Sequence, residues 1–378
     1  MARRIKVMHV AQAPGGVSVY IESLVKELNR GEFESILVCS QDYNQQQMAP
    51  YFDVIEQVWM ERSIRISKIF KPVLATRRII KKYKPDIVYC HSSIAGVVGR
   101  VAAIGCGTKA LYNAHGWSFN MRVSPFFKFV FRLVEKSLAL FTDKIVCVSN
   151  FEKKTAISGG ICSPNKIEVV YNGVDVAGLQ EKIAASKVTR ESLGIPHEAY
   201  VVGMVGRISK QKAPDVFVKI AKKIKESIPN AFFVIVGGGP DQELIEKQIR
   251  SFELSDAFLI TGWVSNPHDY MALFDQPVLL SRWEAFGLAL VEYMASRKAV
   301  VCTNADAMPE IVKSEENGIV VNVDDCESAA RAVVRLFNDE KLRENMSNRA
   351  LEMAKQSFDL SYTVEKMSDL FKKMVEEE

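Results

Sequence analysis

The sequence predicts an α/β protein built from two successive doubly wound parallel-sheet domains, and three observations predict it. Short apolar runs of strand length alternate with amphipathic helical stretches along the whole chain, the signature of repeated βαβ units. Several of those runs end in glycine or histidine turns, where the strands of such sheets deliver ligands. At 378 residues the chain is long enough for two domains, each with its own core.

Taken in order, residues 5–10 read as a strand, 11–16 as a loop closing on Gly15-Gly16, and 17–29 as a helix. A glycine pair at a strand-to-helix turn lets backbone approach a phosphate. The third glycine of the dinucleotide fingerprint is missing, which argues against a nicotinamide cofactor. Residues 35–39 form the next strand, and 68–82 alternate basic and apolar residues at helical spacing. Strands at 86–90 and 109–114 end at His91 and His115, both placed for a ligand crevice. Residues 124–141 read as a helix with Phe127, Val130, Phe131, Val134 and Leu138 on one face and Lys128, Arg132, Glu135 and Lys136 on the other. Phe126 and Phe129 widen its apolar surface beyond one buried stripe, so it is a candidate for docking on an anionic membrane. Packing inside the first domain is the alternative. Strands at 144–148 and 166–171 follow, the second closed by the turn Asn172-Gly173-Val174-Asp175.

The composition turns polar over 176–199 and breaks at Gly194-Ile195-Pro196, which sets the domains at 1–185, 186–358 and a terminal helix, 359–378. The second domain opens on the strand 200–205 and the loop Gly206-Arg207-Ile208-Ser209-Lys210-Gln211-Lys212. Two cations between a strand end and a helix start (214–228) make a diphosphate clamp, or two solvated surface charges. Strand 231–236 ends at Gly237-Gly238-Gly239-Pro240, strand 257–261 at Gly262-Trp263-Val264, and a helix covers 267–274. The strand 277–280 then leads into Ser281-Arg282-Trp283-Glu284-Ala285-Phe286-Gly287-Leu288, which continues as a helix carrying Glu292. If that segment is helical, eight residues separate the glutamates by roughly 12 Å. A glycosidase pair needs about 5–10 Å, so these carboxylates are not an acid and base on one atom. They suit hydroxyls at both ends of a ligand whose phosphates sit on the helix start, or they are simply two exposed glutamates. Strands at 299–303 and 318–321, two helices over 326–356 and the terminal helix complete the chain.

The apolar fraction of 48% and charged fraction of 25% are those of a soluble globular protein, and no apolar run reaches the 18 residues of a membrane span. Seven scattered cysteines without a Cys-x-x-Cys pair favour a reducing cytoplasm over a disulfide framework or structural zinc. The net charge of +4 is unevenly spread. Residues 60–140 carry fifteen Lys and Arg against Glu61, Asp86 and Glu135, a local excess of +12 that suits an anionic partner.

Taken together, Glu284 and Glu292 around Phe286-Gly287, the Gly206-Arg207 and Lys212 loop, Gly15-Gly16, His115-Gly116 and Gly237 to Pro240 resemble the retaining glycosyltransferase family 4, with the two-Rossmann-domain architecture called GT-B. The resemblance covers nearly the whole chain. It implies two Rossmann-like domains facing across a cleft, the last helix crossing back to the first. Arg207 and Lys212 would bind the donor diphosphate, assisted by backbone N–H groups near Gly15, Gly16 and Ala285 to Leu288. Glu292 would accept from the ribose, Glu284 would contact the transferred sugar, and Gly262, Trp263 and Val264 would lie near the base. His115 would lie over the donor sugar, with His91, Trp117 and Asn172 on the acceptor side. The implied catalytic set is His115, Arg207, Lys212 and Glu284, with no metal and no cofactor beyond a nucleotide sugar, expected to be UDP-linked.

The activity implied is transfer of a hexose or N-acetylhexosamine, with retention, to a saccharide in bacterial surface polysaccharide synthesis, and the basic first domain with its Phe-rich helix makes a polyprenyl-diphosphate-linked saccharide the expected acceptor. The protein would be cytoplasmic, peripheral on the inner membrane face, and would not bind nucleic acid. A nucleotide-sugar epimerase of the same fold and a non-catalytic nucleotide-sugar-binding subunit are the rival readings. Relatives often carry a glycine pair before Pro-Glu, where this chain has Asp306-Ala307-Met308-Pro309-Glu310, so the hexose stays open.

Overall fold

A computed structural model of the chain describes residues 3–61 and 66–376. It divides into two compact units, one of Met1–Asn172 with Leu360–Glu378 and one of Gly173–Asp359. Each is built on a single parallel sheet.

The first unit holds β1 (Ile5–Ala11), β2 (Phe33–Cys39), β3 (Val54–Gln57), β4 (Ile87–His91), β5 (Lys109–Asn113), β6 (Lys144–Cys147) and β7 (Ile167–Val169), in the order β3-β2-β1-β4-β5-β6-β7. All its strand pairs are parallel, so helices must cover both faces and central strands read as unbroken apolar runs. The order reverses at β1, which pairs with both β2 and β4, and this reversal opens a crevice at the carboxyl ends. β3 has no counterpart in the sequence reading, because a four-residue edge strand bearing Glu56 and Gln57 leaves little apolar signal. The helix Ser93–Ala103, rich in small residues, likewise has no counterpart in the sequence reading. Its glycines press on the sheet: a Cβ at Gly99 would stand 2.4 Å from Cys90 Sγ.

The second unit holds β8 (Tyr200–Val205), β9 (Ala231–Val236), β10 (Phe258–Ile260), β11 (Gln276–Leu279), β12 (Val300–Thr303) and β13 (Gly318–Val321), ordered β10-β9-β8-β11-β12-β13. Its reversal lies between β8 and β11, and both of their following loops therefore meet at one place. The six residues of β9 are all buried, as a central parallel strand requires.

Two features differ from the sequence reading. The contact boundary falls after Asn172, not at 185, because the helix Val176–Ala184 buries Val176 and Leu179 within the second unit and packs on helices Pro267–Met271 and Leu288–Ala295. Polar composition over 176–199 marked a solvent-facing stretch, which is a different thing from where contacts divide. The second concerns the helix Pro125–Ala139, where Glu135 of the polar face reaches the core while Val130, Phe131 and Leu138 of the apolar face are only half-buried. Glu135 and Ala139 are its buried residues, while Phe126 (69% exposed), Phe127, Phe129 (65%), Leu133 and Val134 face outward, continued by Leu140 and Phe141. Glu135 is drawn inward by Arg100, whose Nη2 donates to it at 2.8 Å, and by the Tyr112 hydroxyl at 2.9 Å. Arg100 also stacks on the Tyr112 ring at 3.7 Å, so the ion pair sits in a polar and aromatic nest inside the core.

The last helix, Leu360–Glu376, belongs to the first unit. It lays Met367, Leu370, Phe371 and Met374 on a core shared with Phe33 and Tyr89. Burying four such side chains contributes about 6–12 kcal/mol before the cost of ordering the helix. Lys372 adds an ion pair to Glu32 at 2.6 Å. Among the described residues no helix is long and apolar enough to cross a membrane.

Candidate active site

In the second unit the loop after β8 and the loop after β11 are joined by side chains of both. The Arg282 amide donates to the Gln211 carbonyl at 2.8 Å, and the Gln211 side chain donates back to the Trp283 carbonyl at 3.1 Å. The Arg282 guanidinium forks onto both oxygens of Asp215 (2.9 and 2.6 Å) and reaches Asp324 at 2.7 Å. Burial alone would raise the Asp215 carboxyl, but the fork outweighs it and holds the group below its ordinary range. Arg282 thus acts as a cross-brace for two loops that carry the predicted site residues.

Within that frame the Lys212 ammonium donates to both oxygens of Glu284, at 2.8 and 3.1 Å. Glu284 is only 7% exposed, and its own amide donates to Asp306 at 2.9 Å. Its side-chain stem lies against Gly287: a Cβ there would stand 3.4 Å from Glu284 Cγ. Gly287 is left-handed at φ +100° and opens the helix Leu288–Ala295, whose start no side chain caps. Helical backbone therefore begins only at Leu288, so the 12 Å ruler from Glu284 to Glu292, which assumed one continuous helix, does not apply. The Arg207 side chain is exposed and has no hydrogen-bond or ion-pair partner among the described residues. A carboxylate-held ammonium, an open guanidinium and an uncapped helix start are groups whose chemistry suits an anion such as a diphosphate.

The remaining second-unit residues are placed as follows. Glu292 lies on the helix Leu288–Ala295 and faces His268 Nε2 at 3.4 Å, a neighbour that a lone histidine in the sequence did not announce. Phe286 is buried edge-on to Phe358 at 6.0 Å, so backbone is what it can offer a ligand. Trp263 is exposed and lies over Gly238, while Ala285, Leu288, Gly262 and Val264 are half-buried beside their loops. The loops after β8 and β9 cross at backbone contact: a Cβ at Gly239 would stand 2.1 Å from the Ile208 carbonyl oxygen.

In the first unit the helix Gly16–Glu27 starts at Gly15, φ +127°, and the space in front of both glycines is open. Its Tyr20 meets the His115 ring edge-on at 4.8 Å. His115 follows β5 with a left-handed backbone, φ +51°, pinned by its amide donating to Asn113 Oδ1 at 2.8 Å. Two acceptor-side expectations are corrected. His91 is fully buried and hydrogen-bonds His115 at 3.0 Å, so it lies beneath that ring and out of reach of an acceptor. Trp117 is 2% exposed, stacked on Phe119 at 5.3 Å, with its indole N–H donating to the Glu152 carbonyl. It is a core residue whose backbone amide also donates to the Glu152 carboxylate at 3.1 Å. Asn172 is half-buried, and its Oδ1 is buried without a partner. Sequence reading missed His9, which bonds His91 at 3.1 Å from the neighbouring strand. Among the described residues no group of three or more His, Cys, Asp or Glu converges as metal donors.

A family model described as glycosyl transferases group 1 matches residues 186–353, and one described as glycosyltransferase family 4 matches residues 14–177. The chain is 29% identical to the UDP-Gal:α-D-GlcNAc-diphosphoundecaprenol α-1,3-galactosyltransferase of Escherichia coli, over 98% of both chains. It is 24% identical to the capsular polysaccharide biosynthesis glycosyltransferase CapM of Staphylococcus aureus, over 86% of each. The crystal structure of Anabaena HepE in complex with UDP and glucose superposes with a TM-score of 0.84 over 98% of this chain and 100% of that one, at 20% identity. That likeness carries the GT-B fold.

Proposed function

The chain belongs to glycosyltransferase family 4, and we propose that it moves a hexose or N-acetylhexosamine from a UDP-sugar, with retention, onto a polyprenyl-diphosphate-linked saccharide during bacterial surface polysaccharide synthesis. The observation that carries this reading is the Lys212–Glu284 pair set against the uncapped helix start at Gly287, with Arg207 open nearby in sequence. Breaking a sugar–phosphate bond develops negative charge on the leaving diphosphate. Fixed cations and N–H groups stabilise that charge without rearranging during the reaction, and a metal is not needed for it. Glu292 holds the ribose and Glu284 the sugar. The relative that uses a diphosphoundecaprenol-linked acceptor supports the lipid-linked acceptor class.

An acceptor of that kind lies at a membrane, and the outward face of the helix Pro125–Ala139 suits the same place. Phe126, Phe127, Phe129, Leu133, Leu140 and Phe141 are exposed in a segment with a local excess of +12 charges. Apolar side chains enter the acyl boundary while Lys and Arg meet anionic headgroups.

The test incubates the purified protein with UDP-Gal, UDP-Glc or UDP-GlcNAc and GlcNAc-diphosphoundecaprenol, with and without EDTA. An α-linked disaccharide on the lipid, unaffected by EDTA, is expected. An isomerised UDP-sugar without transfer, or transfer that EDTA abolishes, would overturn the reading. Cosedimentation with anionic vesicles should fall about tenfold in Phe126→Ser/Phe129→Ser, the loss of two partly inserted rings.

A further inference from the structure

His9, His91 and His115 form an unbroken row of imidazoles, and the sheet register explains why. β1 sets Ala11 opposite His91, and β4 sets His91 opposite Asn113, two residues before His115. Side chains two residues apart on a strand share a face, so His9 and His91 climb one face diagonally, and His115, just beyond the end of β5, continues the row at the carboxyl ends. His9 Nδ1 meets His91 Nε2 at 3.1 Å, and His91 Nδ1 meets His115 Nε2 at 3.0 Å. Neighbouring rings stack at 5.3 Å in both steps. Asn113 holds the His115 backbone, and Tyr20 closes on its ring.

A row of neutral imidazoles has two self-consistent proton arrangements, because each ring carries one N–H and the bond at one nitrogen dictates the other. Burial lowers His9 to about 3 and His91 well below its ordinary value, the latter helped by its two neighbours, so the row stays neutral near pH 7. In one arrangement every N–H points up the row: His9 donates to His91, His91 donates to His115, and His115 presents Nδ1–H outward. In the other every N–H points down, and the last, on His9 Nε2, is left in the core. That nitrogen is buried and has no partner. A buried N–H without an acceptor is the rarer and costlier of the two orphans. His115 Nδ1 has no partner among the described residues and is not among the buried unpaired atoms, so it is the accessible end of the row.

We propose that His9 and His91 are positioning residues that lock His115 as the Nδ1–H tautomer, so that it meets its ligand as a hydrogen-bond donor and cannot serve as a general base. The inference rests on the reading above only for the identity of the ligand, a sugar hydroxyl or ring oxygen of the donor. The row's direction is a property of the free protein. With Nδ1 protonated and Nε2 already accepting from His91, the ring has no lone pair left to take a proton from an acceptor hydroxyl.

The test is the tautomer itself. The chain has five histidines, so ring nitrogens of the ¹⁵N-histidine-labelled, ligand-free protein can be assigned with a His115→Gln variant at pH about 7.5. An N–H type resonance at His115 Nδ1 and a bare-nitrogen resonance at His9 Nε2 are expected. In His91→Phe, which keeps a flat ring and removes both bonds, the His115 Nδ1 signal should move toward an average of the two forms. His91→Gln, which keeps a donor and an acceptor, should restore part of the shift. Turnover should follow, with kcat down about three- to tenfold in His91→Phe at little change in KM, the size of one positioning hydrogen bond. A bare Nδ1 on His115 in the unmutated protein overturns the proposal, whether or not any variant folds. So does an Nδ1–H signal that His91→Phe leaves in place. Loss of transfer in His115→Gln tests the sugar-binding reading alone, and the spectrum tests the row alone.

Discussion

Replacing Lys212 with methionine separates what the ammonium does for the fold from what it does for the reaction. Methionine keeps most of the stem and removes the charge, leaving a 7%-exposed Glu284 carboxylate without its partner. Removing one member of a fully buried pair costs about 3–5 kcal/mol, and the Lys212 side chain keeps 17% of its surface in water. A loss of about 2–3 kcal/mol follows, which in a unit of this size lowers its Tm by about 4–12 °C. The same change removes a cation from the leaving diphosphate, worth about 10²- to 10³-fold in kcat. A second substitution tells the two apart. Lys212→Met with Glu284→Leu leaves no stranded charge, so most of the lost Tm should return, while kcat should stay low or fall further. Calorimetry on the three proteins and transfer kinetics at saturating donor give both readings. If Lys212→Met melts like the parent and loses less than tenfold in kcat, the pair is neither a strut nor a clamp and the argument from its geometry fails.

Three further outcomes follow from the same contacts. Arg100→Ala strands Glu135 in the core and should cost about 3–5 kcal/mol in urea denaturation, whereas Arg100→Met with Glu135→Leu should recover most of it. Gly239→Ala forces a methyl into a space 2.1 Å from the Ile208 carbonyl oxygen and should destabilise by about 1–3 kcal/mol while shifting the loop beside Arg207. Acid should destabilise the first unit through the histidine row. His9 titrates near its ordinary 6.5 when unfolded and at about 3 when folded, so between those values the unfolded chain binds a proton that the folded chain refuses. Stability is therefore intact above pH 6.5 and falls as pH drops toward 3, by up to about 1.4 kcal/mol per unit for each such ring, and His9→Phe should flatten that slope.

Both sheets were legible because buried parallel strands write themselves as apolar runs, and the turns that follow them announce themselves with glycine or histidine. The loops holding Arg207, Lys212, Glu284 and Gly287 were legible for the same reason: they are local in sequence and sit at strand ends. What stayed hidden depended on partners far along the chain. Periodicity marked two faces on the helix Pro125–Ala139 but could not say that Glu135 of the polar face reaches the core, since that was decided by Arg100, 35 residues away. Trp117 looked like a binding residue until Glu152 and Phe119 accounted for its indole. The histidine row needed the register of three strands, which no single stretch contains. The Arg282 brace was in plain view within the motif, but its partners Asp215 and Asp324 lie 67 and 42 residues off.

The chain leaves its first unit after Asn172 and regains it at Leu360, and the outgoing and returning segments lie side by side, with Val174 bridging Asp359. In topological terms the second unit is a continuous insertion, and the first is written in two instalments. A ribosome therefore releases the seat for Met367, Phe371 and Met374 nearly two hundred residues before the helix that fills it. During that interval Phe33 and Tyr89 lack their cover, so the nascent first half is the stage at which chaperones have most to hold, and a message truncated anywhere before codon 360 yields a half that cannot close.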